Sequence, residues 1–202
     1  MNEQNFYLTI GQPSSEEFKE RGSRFIAYAY PIGSTDDFKK NLQALKKEHP
    51  KAVHHCFAYR LGIDGNNFRT SDDGEPSGSA GKPILNQIDS KQFTNVLVIV
   101  VRYFGGTLLG VPGLINAYKT ATALALQTIP AIQKPIEINY ELHFDYTKMN
   151  EVMMIVKQSN CTVINQETQL FCLLRIGIPK ARLEEVLYKF KELVTVEITK
   201  IP

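Results

Sequence analysis

The sequence predicts an α/β (α+β) protein of two domains, and three observations support this prediction. The unbroken apolar run from Asn95 to Val101 is typical of a strand that is buried on both faces. A glycine-rich loop and an apolar helix pattern follow it, in the strand–loop–helix order of α/β folds. Two proline-containing breaks, Ile129-Pro130 and Lys134-Pro135, then separate residues 1–134 from residues 135–202.

Local patterns give the elements of the first domain in order. Thr35-Asp-Asp-Phe38 is typical of a capped helix start, and His49-Pro50 ends that helix. The turn Asp64-Gly65-Asn66 indicates a hairpin. We expect strands at 6–10, 24–32, 53–61, 68–71 and 95–101, a connection at 13–18, and helices from 35, from 83 and at about 113–128.

The second domain alternates between strand-like and helix-like segments. Its elements are predicted at 136–144, 147–159, 161–166, 170–178, 180–193 and 195–201. This is the order strand, helix, strand, strand, helix, strand, which is the ferredoxin-like βαββαβ arrangement. An antiparallel sheet with both helices on one side would cover the apolar faces of so small a domain.

Composition limits the function classes. With 43% apolar and 22% charged residues, the 202-residue chain resembles an ordinary soluble globular protein. A net charge of +2 allows a local basic patch but not the overall basicity of a typical nucleic-acid-binding domain. We expect a cytoplasmic protein without a membrane partner, because no leader pattern and no apolar run of about 20 residues is present. Cys56, Cys161 and Cys172 lack the spacing of a zinc site or a disulfide framework.

The segment from Arg69 to Pro83 reads as a shaped loop, because Gly, Pro, Asp and Ser crowd it. It leads into a helix with Pro83 in the first turn, where free backbone N–H groups attract anions. Lys82 strengthens a phosphate-binding interpretation. The Walker A pattern fails, however, since Pro76 and Pro83 occupy positions that need Gly and Ser or Thr.

A second glycine-rich loop follows the buried strand. Arg102, Tyr103 and Phe104 place a cation and aromatic rings beside Gly105-Gly106, a combination that suits stacking of splayed RNA bases. The plainer interpretation places Phe104 in the core with Tyr103 covering it. Tyr118 and Lys119 either extend this surface or are ordinary helix residues.

The acids of the first loop and the histidine pair near residue 54 have two interpretations. Carboxylate and imidazole groups could hold a divalent metal, the one candidate cofactor, or the acids form an Asx-type turn while one histidine packs in the core. Adjacent strand residues point to opposite faces, so at most one histidine joins a given site. Acid/base catalysis is a further option, but no serine lies in a nucleophile-elbow pattern, and the catalytic residues stay unassigned.

Three segments resemble the hallmark sequences of the YigZ/IMPACT family: His54-His55-Cys56, Ser71 to Pro83, and Val101 to Gly110. The tail is similar to the small C-terminal domain of bacterial members. The resemblance implies an N-terminal ribosomal-protein-type βαβ fold, like elongation factor G domain IV and galactokinase-type kinases, and a C-terminal domain like elongation factor G domain V. Eukaryotic IMPACT proteins act in translational control through a further N-terminal domain for which this sequence shows no counterpart.

The function predicted from these observations is non-enzymatic: a translation-associated protein that binds RNA or a ribosomal surface through the two glycine-rich loops. The alternatives are a metal- or His/Asp-assisted hydrolase of a peptide or phosphate ester, and a protein-interaction regulator of translation. The oligomeric state and the ligand are not predicted. The predicted binding residues are Arg69, Ser77, Gly78, Ser79, Gly81, Lys82, Arg102, Tyr103, Gly105 and Gly106. The residues predicted to shape the loop or hold a metal are His54, His55, Asp72, Asp73 and Glu75.

Overall fold

The computed structural model describes residues 4–202, which form two compact units. Residues 7–134 make up the N-terminal domain, and residues 135–202 with residues 4–6 make up the C-terminal domain. Both combine antiparallel sheets with helices, so the predicted mixed α+β class is confirmed. Within residues 4–202, no helix has the length and apolar character needed to cross a membrane.

The N-terminal domain is built on a five-stranded antiparallel sheet with the order β2-β3-β6-β4-β5. Strands β3 and β4 both run antiparallel to the central β6, so they are parallel to each other, and the helix between them completes a split βαβ unit. The strands are β2 (Ser14–Glu20), β3 (Ser23–Pro31), β4 (His54–Leu61), β5 (Asn67–Ser71) and β6 (Val96–Tyr103), while β1 (Phe6–Ile10) and β7 (Ala131–Pro135) form a separate pair.

Helices cover both faces of this sheet. The helix α1 (Thr35–Glu48) begins with a capping box between Ser34 and Asp37 and buries Phe38 and Leu45 on one face. The helices α2 (Gly81–Ser90) and α3 (Gly110–Gln127) pack on the other face. This two-sided burial explains why β6 is apolar at consecutive positions rather than alternating.

The C-terminal domain has a four-stranded antiparallel sheet with the order β11-β8-β10-β9. This is the ferredoxin-like topology that the order of its elements predicted. Its core includes Leu142, Leu174, Val186 and Phe190. The elements are β8 (Glu137–Asp145), α4 (Met149–Gln158), β9 (Thr162–Thr168), β10 (Phe171–Pro179), α5 (Leu183–Lys191) and β11 (Glu197–Lys200).

Two segments that were predicted to be connections are strands. The prediction was wrong for β2, which lies at a sheet edge and carries mainly polar side chains, with no apolar alternation to mark it. The prediction was also wrong for β7, because Pro130 and Pro135 indicated a connection between the domains instead of a strand. Among the strands of residues 4–202, β7 pairs only with β1, so its pairing depends on a segment more than a hundred residues away in the sequence.

Candidate functional site

The Glu75 carboxylate of the first glycine-rich loop is bonded to the two elements that flank the second loop. Its Oε1 accepts a hydrogen bond from Arg102 Nη1 at 2.6 Å and another from the Tyr118 hydroxyl at 2.7 Å. Arg102 is the next-to-last residue of β6 and Tyr118 lies in α3, so these bonds join the first loop to both elements that flank the second loop. Only 4% of the Glu75 side chain and 6% of the Arg102 side chain are exposed, so each buried charge is compensated by the other.

Asp72 organises the rest of the first loop. Its carboxylate accepts hydrogen bonds from the backbone N–H groups of Gly78, Ala80 and Gly81 at 2.8, 3.0 and 2.8 Å. Ala80 is the N-cap of α2 and has no side chain able to cap the helix, so Asp72 performs that role from outside it. An internal anion therefore lies where the sequence predicted a bound phosphate.

Among the remaining hydroxyls and glycines of the first loop, Ser79 and Gly81 also serve its shape. Ser79 donates its hydroxyl hydrogen to the Pro76 carbonyl oxygen at 2.6 Å and is fully buried, whereas Ser77 is exposed. Gly81 packs so closely on the Ser71 backbone that a side chain there would clash, while Gly78 faces open space.

The two histidines have different environments on opposite faces of the sheet. His54 Nδ1 lies 2.7 Å from the Asp73 carbonyl oxygen. Because a carbonyl oxygen can only accept a hydrogen bond, Nδ1 carries the proton. The other ring nitrogen, Nε2, lies 3.9 Å from Glu75 Oε1. The backbone N–H of His55 donates to Asp73 Oδ2 at 2.7 Å. The His55 side chain is buried on the α1 face, where burial lowers its pKa. Only His54 belongs to the Glu75 site.

The acids of the first loop do not converge on a common point. Asp72 binds backbone N–H groups, Asp73 binds the His55 N–H group, and Glu75 binds Arg102 and Tyr118. Within residues 4–202, no group of three or more His, Cys, Asp or Glu residues is placed to hold a metal ion. Each of the three carboxylates therefore binds a group of the protein itself.

Cys56 belongs to the same network but has no features of a nucleophile. Its Sγ lies 3.0 Å from the Asp72 carbonyl oxygen and 3.3 Å from the Tyr118 hydroxyl. Burial raises the pKa of the Cys56 thiol and that of Tyr118 well above their ordinary values. A reactive thiol requires the opposite shift, so the geometry disfavours a Cys56 hydrolase.

Arg102 and Tyr103 point to opposite faces, as neighbours on a regular strand must. The Arg102 guanidinium lies against the rings of Phe25 and Phe104, at 5.3 and 5.7 Å from their centres. The Tyr103 hydroxyl lies 2.9 Å from His49 Nδ1 on the α1 face. The two residues therefore do not line one groove. Arg69 is also on the α1 face, with its guanidinium 6.0 Å from the Phe38 ring centre.

The second loop is exposed and carries apolar side chains. Phe104, which the plainer interpretation placed in the core, is 49% exposed, and Leu108 is 83% exposed. Gly105 lies so close to Gly22 that an added Cβ would overlap the Gly22 backbone, whereas Gly106 has a φ of +86° and open space around it. Ser23 fixes the approach by accepting a hydrogen bond from the Gly105 N–H at 3.2 Å.

Sequence reasoning missed Ser23 and gave Cys56 no place in this network. It considered Tyr118 only as part of an exposed surface or as an ordinary helix residue, whereas Tyr118 is fully buried. The position of Cys56 gives one usable signal, since it lies two residues from His54 on the same strand and therefore on the same face. Ser23 and Tyr118 lie far along the chain from Glu75, and no local pattern shows that they belong to its network.

These features define a two-domain α+β protein. Its split βαβ domain presents two glycine-rich loops that are connected through the hydrogen bonds of Glu75. A family model described as the Impact N-terminal domain matches residues 21–126. The chain is 36% identical over 172 residues to the IMPACT family member YigZ of Escherichia coli (strain K12). The aligned region covers 84% of this chain and 83% of that protein. The chain belongs to the IMPACT family.

Other relatives extend this comparison. The IMPACT family member YvyE of Bacillus subtilis (strain 168) is 31% identical over 153 residues, covering 76% of this chain and 70% of that one. A crystal structure described as that of a hypothetical protein is 30% identical, covers 98% of both chains and has a TM-score of 0.79. A structure of the two-domain translational regulator Yih1 is 29% identical over 60% of this chain and 47% of that chain, with a TM-score of 0.35, too low for a comparison of folds.

Proposed function

We propose that this protein works in translation by binding RNA or a ribonucleoprotein surface, without catalysing a reaction, through the exposed side of its two glycine-rich loops. The observation that carries the proposal is that Glu75 of the first loop is bonded to both elements that flank the second loop. Because Arg102 and Tyr118 hold that carboxylate, two segments distant in sequence form one ordered surface. The translational setting is what the resemblance to the IMPACT family implies.

Lys82 and Phe104 are the residues we assign to the ligand. Lys82 is exposed on the first turn of α2 and makes no ion pair with a described residue, so it is available to a phosphate. Phe104 presents an exposed ring on which a base can stack. Gly78 and Gly106 have nothing within 4 Å of an added Cβ, so a nucleic-acid backbone could approach the loops closely. Arg102 acts indirectly, by holding Glu75.

Filter binding of a single-stranded RNA in rising salt tests the phosphate contact. Lys82→Ala should weaken binding and lower the slope of log affinity against log salt by about 1, because one phosphate contact is lost. The matched control is Lys91→Ala, which removes an exposed lysine at the other end of the same helix and should leave the slope unchanged. Absence of RNA binding at low salt, or equal slopes for the two variants, would overturn the proposal.

The stacking contact has its own test. Phe104→Ala should weaken RNA binding by about 1–3 kcal/mol, the usual contribution of a base stacked on an aromatic ring. Phe68→Ala is the control, since Phe68 on β5 is similarly exposed (52%) and lies outside both loops. Equal weakening in both variants would point to a general effect on folding and count against the assignment of Phe104.

A protein partner is the second candidate, and the apolar side chains of the second loop favour it. Leu108, Val111 and Ile115 follow Phe104 in the sequence and are exposed on the second loop and the first turns of α3. Exposed apolar side chains suit the apolar core of an interface better than a phosphate backbone. Cosedimentation with ribosomes before and after nuclease treatment separates the two candidates. RNA-dependent association disappears on digestion, whereas a protein contact survives it and is lost in Leu108→Asp.

A further inference from the structure

A groove on the α1 face of the N-terminal sheet, away from the glycine-rich loops, has no role in the function proposed above. The aromatic contacts of α1 are with β4, where Phe38 packs on Phe57 and Tyr59. The tyrosines Tyr28 and Tyr30 of β3 lie on the same face and stay half-buried. A shallow groove of about 310 Å³ runs beside them, lined by Pro13, Ser14, Ser15, Tyr28 and Tyr30.

The aromatic side of this groove is ordered before any ligand binds. The Tyr28 hydroxyl lies 2.7 Å from His49 Nε2, and His49 Nδ1 lies 2.9 Å from the Tyr103 hydroxyl, so one imidazole holds two tyrosines. The rings of Tyr28 and Tyr30 are parallel to within 7°, with centres 6.4 Å apart. A ligand that docks here has little side-chain entropy to remove.

Tyr30 offers a hydrogen-bond donor that nothing in the described part of the protein uses. Its hydroxyl has no hydrogen-bond partner among residues 4–202. The hydroxyl is nevertheless partly desolvated, since burial raises the pKa of Tyr30 to about 12. A tyrosine hydroxyl in such a partly desolvated position ordinarily finds an acceptor. The groove is therefore complementary to a ligand that brings its own carbonyl oxygens.

The charges beside the groove cancel one another. Glu17 on β2 accepts two hydrogen bonds from Arg24 on β3, at 3.2 and 2.7 Å, and lies 3.3 Å from Lys19. The second acid is Glu48 at the end of α1, whose charge acts on both Tyr28 and Tyr30 and balances the second cation. No uncompensated cation lines the groove itself. This charge pattern is complementary to a neutral ligand and gives no electrostatic attraction to a polyanion such as RNA.

We propose that this tyrosine-lined groove binds a proline-rich segment of a partner protein in the polyproline II conformation. Such a segment has no internal backbone hydrogen bonds, so its carbonyl oxygens are free to accept from Tyr30. Prolyl rings pack on aromatic side chains, and the preformed helix costs little entropy to bind. The proposal uses the opposite face of the sheet from the RNA surface and does not depend on it.

The test is an NMR titration of the full-length, isotopically labelled protein with decaproline. We expect shifts of the backbone amide signals of Ser15, Tyr28 and Tyr30. Tyr30→Phe should weaken binding about fivefold, the effect of one lost neutral hydrogen bond, and Tyr30→Ala should weaken it more. The control is Tyr188→Ala, which removes a 65% exposed tyrosine from α5 and should bind as the unmodified protein does.

Two outcomes would overturn the proposal. In one, decaproline leaves the groove signals unmoved or binds Tyr30→Ala as tightly as the unmodified protein. In the other, an oligouridylate added in a parallel titration shifts these signals and decaproline does not, which would make the groove a nucleic-acid surface. Circular dichroism of each variant tests whether its fold is retained.

Discussion

The carboxylate of Glu75 lies 2.6 Å from the guanidinium of Arg102, and neither side chain has appreciable exposure. The Tyr118 hydroxyl donates to the same oxygen, so two charges and a phenol share one buried position. A network of this kind is sensitive to the loss of one member, because the remaining charge is left buried without a partner.

Arg102→Ala should therefore lower the free energy of unfolding by about 3–5 kcal/mol, the usual effect of leaving a buried charge unpaired. Chemical denaturation, monitored by circular dichroism, measures this loss of unfolding free energy. Arg24→Ala is the control, because the Arg24–Glu17 pair is exposed and should contribute about 0–1 kcal/mol. Adding Glu75→Gln to Arg102→Ala should recover part of the loss, and no recovery would contradict the account of a stranded charge.

The contact between Gly22 and Gly105 gives a second prediction. An added Cβ at Gly105 would overlap the backbone of Gly22, which cannot move without disturbing the β2–β3 hairpin. We expect Gly105→Ala to reduce stability by about 3 kcal/mol, at the upper end for overpacking. Gly106→Ala should cost only about 1–2 kcal/mol, because the space there is open and the positive φ alone is unfavourable. Thermal denaturation measures the loss of stability in the two variants. Equal losses in Gly105→Ala and Gly106→Ala would contradict the close contact between Gly105 and Gly22.

Much of the fold could be predicted from the sequence because the strongest patterns lie in segments whose burial is uniform. The run from Asn95 to Val101 is covered on both faces, and the ferredoxin-like order of the C-terminal domain follows from alternating elements. The strand β2 could not be predicted, since Ser14–Glu20 is a half-solvated edge strand whose pairing is decided by β3.

The candidate site was predictable only in part, for a physical reason. The density of turn residues marked the loop that contains Asp72 and Glu75, and strand alternation separated His54 from His55. The partners of those acids are decided by tertiary contacts, however. Tyr118 is 43 residues from Glu75 in sequence, and nothing local shows that Arg102 would be used internally rather than by a ligand.

The buried His55 leads to a prediction for the pH dependence of stability. Burial lowers the His55 pKa below its ordinary value of 6.5, so the unfolded chain binds a proton more readily than the folded one. The free energy of unfolding should therefore fall as the pH drops below about 6.5, by at most about 1.4 kcal/mol per pH unit for this one group. His55→Gln should flatten that fall. The exposed His143 provides the control, since His143→Gln should leave the His55 contribution intact.

Asp72 supports the last prediction, because its carboxylate occupies the anion position at the start of α2. Asp72→Ala removes the acceptor for three backbone N–H groups and should cost about 1–3 kcal/mol of stability, the range for unsatisfied buried donors. Asp64→Ala is the control, since Asp64 accepts a single bond from Asn66 in an exposed turn. The vacated position should then bind an added anion, because helix N-termini attract phosphate and sulfate. Sulfate should thus raise the melting temperature of Asp72→Ala more than that of the unmodified protein at equal ionic strength. An equal rise in both would mean that Asp72 does not act as an internal substitute for a bound anion.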